Sequence, residues 1–296
     1  MSNPRLFSPL TIRSVTFRNR LWVSPMCQYS VEEQDGVATD WHLAHLGSFA
    51  RGGAGLVMAE ATGVVPEGRI TNWDLGLWNN DQRDALARIV RFVHSQGAAA
   101  GIQLAHAGRK ASTYREWSGS GSQAVEDGGW QTVAPSAIAF DDLAMPRVLT
   151  SDEIDGVVRA FADAAARALD AGFDVLEIHA AHGYLLHQFL SPLSNIRTDE
   201  YGGSLQNRAR LLLRVVRAVR EVSGESVPVF VRLSATDWAD GGWDLNSTVV
   251  VAALARDAGA DHFDISSGGL VADAQVPVGP GYQVPFAQAV RSRTGV

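Results

Sequence analysis

At 296 residues and 46% hydrophobic, the chain can bury a large core, and single α/β barrels commonly reach this size. Its 25 basic and 32 acidic residues leave a net charge of −7 with no Lys/Arg run, which argues against a nucleic-acid partner. The one cysteine, Cys27, excludes an internal disulfide framework and a cysteine-ligated iron–sulfur cluster.

Residues 1–5 carry no apolar signal core, and no run approaches the ~18 apolar residues of a membrane span, so a soluble cytoplasmic protein with no membrane partner is expected. Residues 6–20 alternate apolar and polar around Pro9-Leu10 and Ser14-Val15, which predicts a short hairpin. Leu21-Trp22-Val23 opens a strand that breaks at Pro25 into the polar run Met26-Cys27-Gln28-Tyr29. Over residues 39–51, Leu43, Leu46 and Ala50 recur at helical spacing and Gly52-Gly53 ends the pattern. A strand over 55–62 follows. A helix starting near Asp81 then buries Leu86, Ile89, Val90 and Val93 and stops at Gly97. The third strand, 98–104, runs into Gln103-Leu104-Ala105-His106-Ala107-Gly108-Arg109-Lys110.

Residues 112–147 are rich in Gly, Ser, Asp and Trp and hold no sustained period. A stretch that long without elements of its own is usually functional or mobile, and it predicts an excursion covering a substrate. Thr150-Ser151-Asp152-Glu153 is a capping box, and the helix behind it presents Ile154, Val157, Val158, Phe161, Ala165, Ala168 and Leu169 on one face. Gly172 ends that helix. Phe173-Asp174-Val175-Leu176-Glu177-Ile178 is then a buried strand that delivers His179 to an open end, where βα barrels do their chemistry. Leu212, Val215, Val216 and Val219 mark a further helix, and residues 227–234 a fifth strand. The helix over 249–258, the strand over 261–269 with its Gly-rich end and a last helix near 286–293 complete six βα units.

The densest chemistry lies in His179-Ala180-Ala181-His182-Gly183-Tyr184. Two imidazoles three positions apart, with a phenol two further on, can grip a carbonyl or anionic oxygen between N–H donors while the phenol gives up a proton. Two such histidines can also coordinate zinc, which leaves a metal-dependent hydrolase as a rival, although the neighbouring Tyr, Gln and Leu side chains are poor ligands. The stretch continues through Leu185-Leu186-His187-Gln188-Phe189-Leu190-Ser191-Pro192 to Arg197-Thr198-Asp199-Glu200-Tyr201-Gly202-Gly203-Ser204 and Asn207-Arg208. In this it resembles the signature of the Old Yellow Enzyme family of FMN-dependent ene-reductases.

The resemblance runs from about Leu6 to the last residue and implies one βα barrel domain over 1–296, with FMN bound and NADPH, or NADH, as reductant. The substrate it implies is a small activated alkene (enone, enal, nitroalkene or maleimide), with a homo-oligomer as the assembly. Ser24, Pro25, Met26 and Cys27, with Ala61, Gln103, Arg232, Ser267 and Gly268, match flavin-contacting positions. Tyr29, His179, His182 and Tyr184 match the substrate site, with the histidines holding the substrate oxygen and Tyr184 donating the proton. Cys27 and Tyr29 are similar to the thermophilic-like branch. Lys110 matches a flavin-side cation in relatives, and on sequence alone it is equally a solvated surface residue. The family barrel has eight strands, and its phosphate-binding loops follow strands seven and eight. Gly295 announces a seventh strand one residue before the sequence stops. This predicts weak FMN binding or a silent barrel for the 296 residues alone, or completion by another chain.

Overall fold

The computed structural model describes residues 5–296; residues 1–4, on which the expected lack of a leader partly rests, lie outside the described residues. The chain begins with the antiparallel hairpin β1 (Leu10–Ile12) and β2 (Val15–Phe17), where Leu10 pairs with Phe17. It then alternates strand and helix: β3 (Trp22–Val23), α1 (Asp40–Arg51), β4 (Leu56–Gly63), α2 (Asn80–Ser95) and β5 (Ala99–Ala105). A long excursion holds a 3₁₀ turn at Val125–Asp127 and the short parallel pair β6 (Val133–Ala134) and β7 (Arg147–Val148). After it come α3 (Ser151–Ala171), β8 (Val175–Ala180), α4 (Leu185–Leu190), α5 (Leu205–Ser223), β9 (Val229–Ser234), α6 (Leu245–Asp257), β10 (His262–Ser266) and α7 (Val284–Thr294).

Six strands form one parallel sheet in the order β10-β9-β8-β5-β4-β3, curled into a half-barrel as the six expected βα units require. Strand periodicity sorts the side chains. On β8, Leu176, Ile178 and Ala180 pack outward into the main core under the helices, while Val175 joins an inner cluster and Glu177 and His179 lie on its face. Between β4 and β5 the register slips by one residue between Ala59 and Ala61. The bulge brings Ala61 opposite Gln103 and frees the Glu60 carboxylate to accept the Gln28 amide at 2.8 Å. One extra residue thus anchors the loop after β3.

Helix limits follow their caps. Thr150 and Glu153 close the expected box on α3, the Thr150 amide donating to Glu153 Oε2 at 2.8 Å. Asp244 caps α6 through the Ser247 amide at 2.7 Å, so that helix starts four residues before the apolar run that betrays it in the sequence. Helix α4 has no counterpart among the elements expected from periodicity. All six of its residues are buried, so no apolar stripe stands against a polar one to give it a helical period.

The hairpin plugs the strands' N-terminal end. Phe17 is fully buried with Leu56, Met58, Val175 and Phe230, its ring centroid 4.7 Å from that of Trp22. From the hairpin turn, Arg13 reaches Asp261 at 2.6 Å and Glu225 at 2.7 Å. An apolar floor is thereby sealed beneath a polar layer. Removing the Phe17 ring should cost about 3–5 kcal/mol, the usual range for a buried aromatic cut to alanine. Urea unfolding of Phe17→Ala measures this, and a loss below about 1 kcal/mol would show that the hairpin does not hold the floor.

Candidate active site

Above the floor, β5, β8, β9 and β10 present Gln103, Glu177, Arg232 and Asp264 to the inside of the curl. Gln103 Nε2 donates to Glu177 Oε1 at 2.8 Å, and Arg232 Nε lies 3.1 Å from Asp264 Oδ2. Burial, with Asp264 nearby, pushes the Glu177 carboxyl up despite the Arg232 charge. The Arg232–Asp264 contact is an ion pair poorly aligned as a hydrogen bond, and Arg232 Nε stays buried without a partner. A strong donor is therefore left over in the layer.

Two residues beyond Glu177 on β8, His179 is level with Arg232 of β9. Its Nδ1 accepts the Ala181 amide at 3.3 Å, so the neutral ring carries its proton on Nε2. The His182 ring meets it edge-on at 5.1 Å between centroids, and the Tyr184 ring does so at 5.0 Å. His182 Nε2 is 2.7 Å from the Ser266 hydroxyl, so its polar end is turned towards β10 and not held in common with His179. Burial lowers both imidazoles, His182 to about 3 and His179 well below its usual value. The positive charges of Arg232 and Lys110 act on both in the same direction. Burial likewise raises the Tyr184 phenol. The site holds two neutral imidazoles and an un-ionised phenol.

Three loops are tied together to place these groups. His182 and Gly183 both take left-handed backbone, φ 58° and 75°. A side chain at Gly183 would run into the Gly269 carbonyl, and one at Gly269 would sit 2.6 Å from His182 Cα. The two backbones touch because neither position has a Cβ. Lys110 spans the contact, its ammonium donating to the carbonyls of His182 at 3.0 Å and Gly269 at 2.9 Å. It also lies 5.1 Å above the Tyr184 ring and 4.4 Å above that of Phe140, a residue of the long excursion. Burial, then the charge of Arg109, brings Lys110 down to about 8. Lys110 is thus a half-buried tie between loops, and the alternative of a solvated surface lysine is corrected.

On the opposite wall, Pro25 is buried, Ser24 and Met26 are exposed, and Cys27 and Tyr29 are half-buried. Tyr29 takes left-handed backbone at φ 50°, and its carbonyl accepts from Arg115 at 3.1 Å. Arg115 stacks on Trp73 and pairs with Glu32 at 2.8 Å. Burial raises the Cys27 thiol and the Tyr29 phenol. A cavity of about 550 Å³ lies over Cys27 and Tyr29, bordered by Trp41 and Trp117. Ala61 and Gln103 are buried side by side across the β4–β5 ladder. At the β10 end, Ser267 accepts from Gln283 at 3.2 Å, while Gly268 is buried with its carbonyl bound by Ser234 at 2.9 Å.

Sequence reasoning did not single out Ser234, Ser266, His106 or Gln188. Ser234 accepts the His182 amide at 3.0 Å, and Gln188 ties the Gly183 carbonyl, at 2.7 Å, to that of Ala107, at 3.1 Å. None carries a spacing signal, since each is recruited from a different strand end or helix. Among the described residues, no three His, Cys, Asp or Glu side chains converge as a metal-binding set.

Residues 5–292 match the profile of the NADH:flavin oxidoreductase / NADH oxidase family. An NADPH dehydrogenase of Listeria innocua is 51% identical over 293 residues, spanning 99% of this chain and 81% of that protein. The NADH:flavin oxidoreductase FG08077 of Gibberella zeae is 47% identical, over 98% of this chain and 74% of its own length. Among solved structures, morphinone reductase superposes with a TM-score of 0.82 at 31% identity, covering 99% of this chain and 78% of the other.

The neutral imidazoles make a test by titration. Their pKa values are depressed in the fold below the ordinary histidine value of about 6.5, whereas the unfolded chain protonates them near that value. The stability they contribute is therefore full above about pH 6.5 and is lost as pH falls towards the folded values. Ring-proton NMR shifts of His179 and His182 should stay flat from about pH 8 down to about 5. A midpoint above about 6 for either ring would contradict the buried, uncharged pair.

Proposed function

This chain belongs to the NADH:flavin oxidoreductase / NADH oxidase family, and from that premise we propose that it reduces the C=C bond of small activated alkenes such as enones, enals, nitroalkenes and maleimides. It is an FMN-dependent, NAD(P)H-oxidising flavin oxidoreductase of the Old Yellow Enzyme type. NADPH is the reductant we assign, in keeping with the NADPH dehydrogenases it is similar to.

The donor set fits FMN. A planar ring system edged with carbonyls and ring nitrogens suits a layer that offers the Gln103 amide beside a buried Arg232 Nε with no partner of its own. Pro25, Met26, Cys27, Ala61, Ser24, Ser267 and Gly268 would hold it with them. When bound, FMN supplies the hydride it has received from the nicotinamide.

The chain's own groups would do the rest. Arg232 is a fixed guanidinium, suited to stabilising negative charge that reduction adds nearby. His179 offers an Nε2–H to the oxygen of the substrate's electron-withdrawing group, and His182 joins it by giving up its contact with Ser266. Neutral donors suit this work, because an imidazolium would protonate or trap an enolate oxygen where a hydrogen bond only polarises it. Tyr184, kept un-ionised by burial, delivers the proton to carbon. Cys27, beside Tyr29, would tune the site without bond making. The single observation that supports this reading most is the edge-on placement of Tyr184 and His182 about one His179 ring. A cytoplasmic homo-oligomer is the accompanying proposal; among the described residues no helix is long and apolar enough to cross a membrane.

Tyr184→Phe tests the proton-donor role. Enone reduction should slow by about 10²–10⁴-fold, the scale of a lost general acid. NADPH-dependent ferricyanide reduction needs no proton at carbon and should stay within roughly tenfold, about 1.4 kcal/mol. Equal losses with both acceptors would remove Tyr184 from the proton-donor role.

A further inference from the structure

Behind the site lies a buried polar chain that none of the roles above uses. His187, on α4, and Asp237, in the loop after β9, are each fully buried. His187 Nδ1 accepts the Gly183 amide at 2.9 Å, which requires that nitrogen to be bare and places the proton of the neutral ring on Nε2. His187 Nε2 lies 2.9 Å from Asp237 Oδ1, off the line of an ideal hydrogen bond. The other carboxylate oxygen accepts the Ser191 hydroxyl at 2.6 Å and the Trp243 amide at 2.8 Å. Burial would raise the Asp237 pKa, but the nearby His187 ring, the Ser191 hydroxyl and the Trp243 amide outweigh it and hold the carboxyl low. The carboxylate is thus oriented from one side and faces the ring with the other.

We propose that His187 is a positioning residue for the reaction, its tautomer set by Asp237 so that Nδ1 holds the Gly183 amide and with it the left-handed turn that aims His182 and Tyr184. This rests on the alkene reduction proposed above. The physical need is plain: two consecutive left-handed residues, one of them not glycine, persist only where surrounding contacts over-determine them. The Gly183 amide belongs to the peptide joining His182 to Gly183, one residue before the phenol. A ring with its proton on Nδ1 would set N–H against N–H and release it.

Asp237→Asn makes that swap. Ser191 and the Trp243 amide both donate to one side of the residue-237 side chain, so the Asn carbonyl oxygen must stay there and its NH₂ must turn to His187. The ring then accepts at Nε2 and carries its proton on Nδ1. Ser191→Ala is the control, since it removes a bond to the same side chain and leaves what faces the ring unchanged. Two readouts are needed. ¹⁵N NMR of the histidines in wild type should show His187 neutral and protonated on Nε2, the tautomer reversing in Asp237→Asn and not in Ser191→Ala. Enone reduction should fall by about 10²-fold in Asp237→Asn, the scale of a small misplacement of reacting groups, with ferricyanide reduction retained. Ser191→Ala should stay within roughly tenfold on both acceptors.

Equal losses in the two variants, or unchanged enone reduction despite the reversed tautomer, would overturn the positioning role. If Asp237→Asn does not fold, the wild-type spectrum still decides, because an imidazolium or an Nδ1-protonated His187 contradicts the proposal. A wild-type protein that reduces no enone would instead sink the proposed reaction, while the His187 tautomer and its reversal in Asp237→Asn would stand as measured.

Discussion

The site depends on one close approach, that of the His182-Gly183 backbone to Gly269, with the Lys110 ammonium clamped between the carbonyls of His182 and Gly269. Like-signed carbonyl dipoles would otherwise push the β8 and β10 ends apart, and a cation donating to both turns that repulsion into a joint. Once the joint is made, the turn at 182–183 is left-handed and the His179, His182 and Tyr184 rings converge. Helix α4 follows at once, its Leu185 amide bound to the His106 carbonyl at 2.9 Å, so the β5 loop joins the same assembly.

Electrostatics sorts the polar groups inside the curl into two sets. In one, the Arg232 guanidinium pairs with the Asp264 carboxylate and Glu177 accepts from the Gln103 amide. In the other, burial and nearby positive charge keep the His179 and His182 imidazoles neutral. An apolar floor below, sealed by Phe17 and Trp22, keeps the dielectric low and strengthens every donor above it. Fold and chemistry are thus linked through solvent exclusion, because the plug that stabilises the strands' N-terminal end also sharpens the polar layer.

Much of this was legible in the sequence for a physical reason. Strands β4, β5, β8 and β9 are short apolar runs closed by polar residues, and helices α1, α2, α3 and α5 carry one apolar stripe each, so periodicity and glycine punctuation reveal both. Within the site, His179, His182 and Tyr184 are legible because a single strand end delivers all three. Lys110, Ser234, Ser266, His187 and Asp237 come from five places, and only folding brings them to the same turn. Helix α4 escapes because it is buried on every side, and the β4 bulge because a slip of one residue leaves no mark in composition.

The most direct test of a site built from neutral donors is the binding of an oxyanion to it. FMN-loaded protein titrated with a phenol such as 4-hydroxybenzaldehyde, followed by long-wavelength charge-transfer absorbance, reports whether His179 and His182 hold that oxygen. Each donor to a charged oxygen contributes about 1.5–3 kcal/mol, so His179→Ala and His182→Ala should each weaken binding by about tenfold to a hundredfold. Unchanged affinity in both variants, with the band retained, would contradict the assignment of the imidazole pair as the site that holds the substrate oxygen.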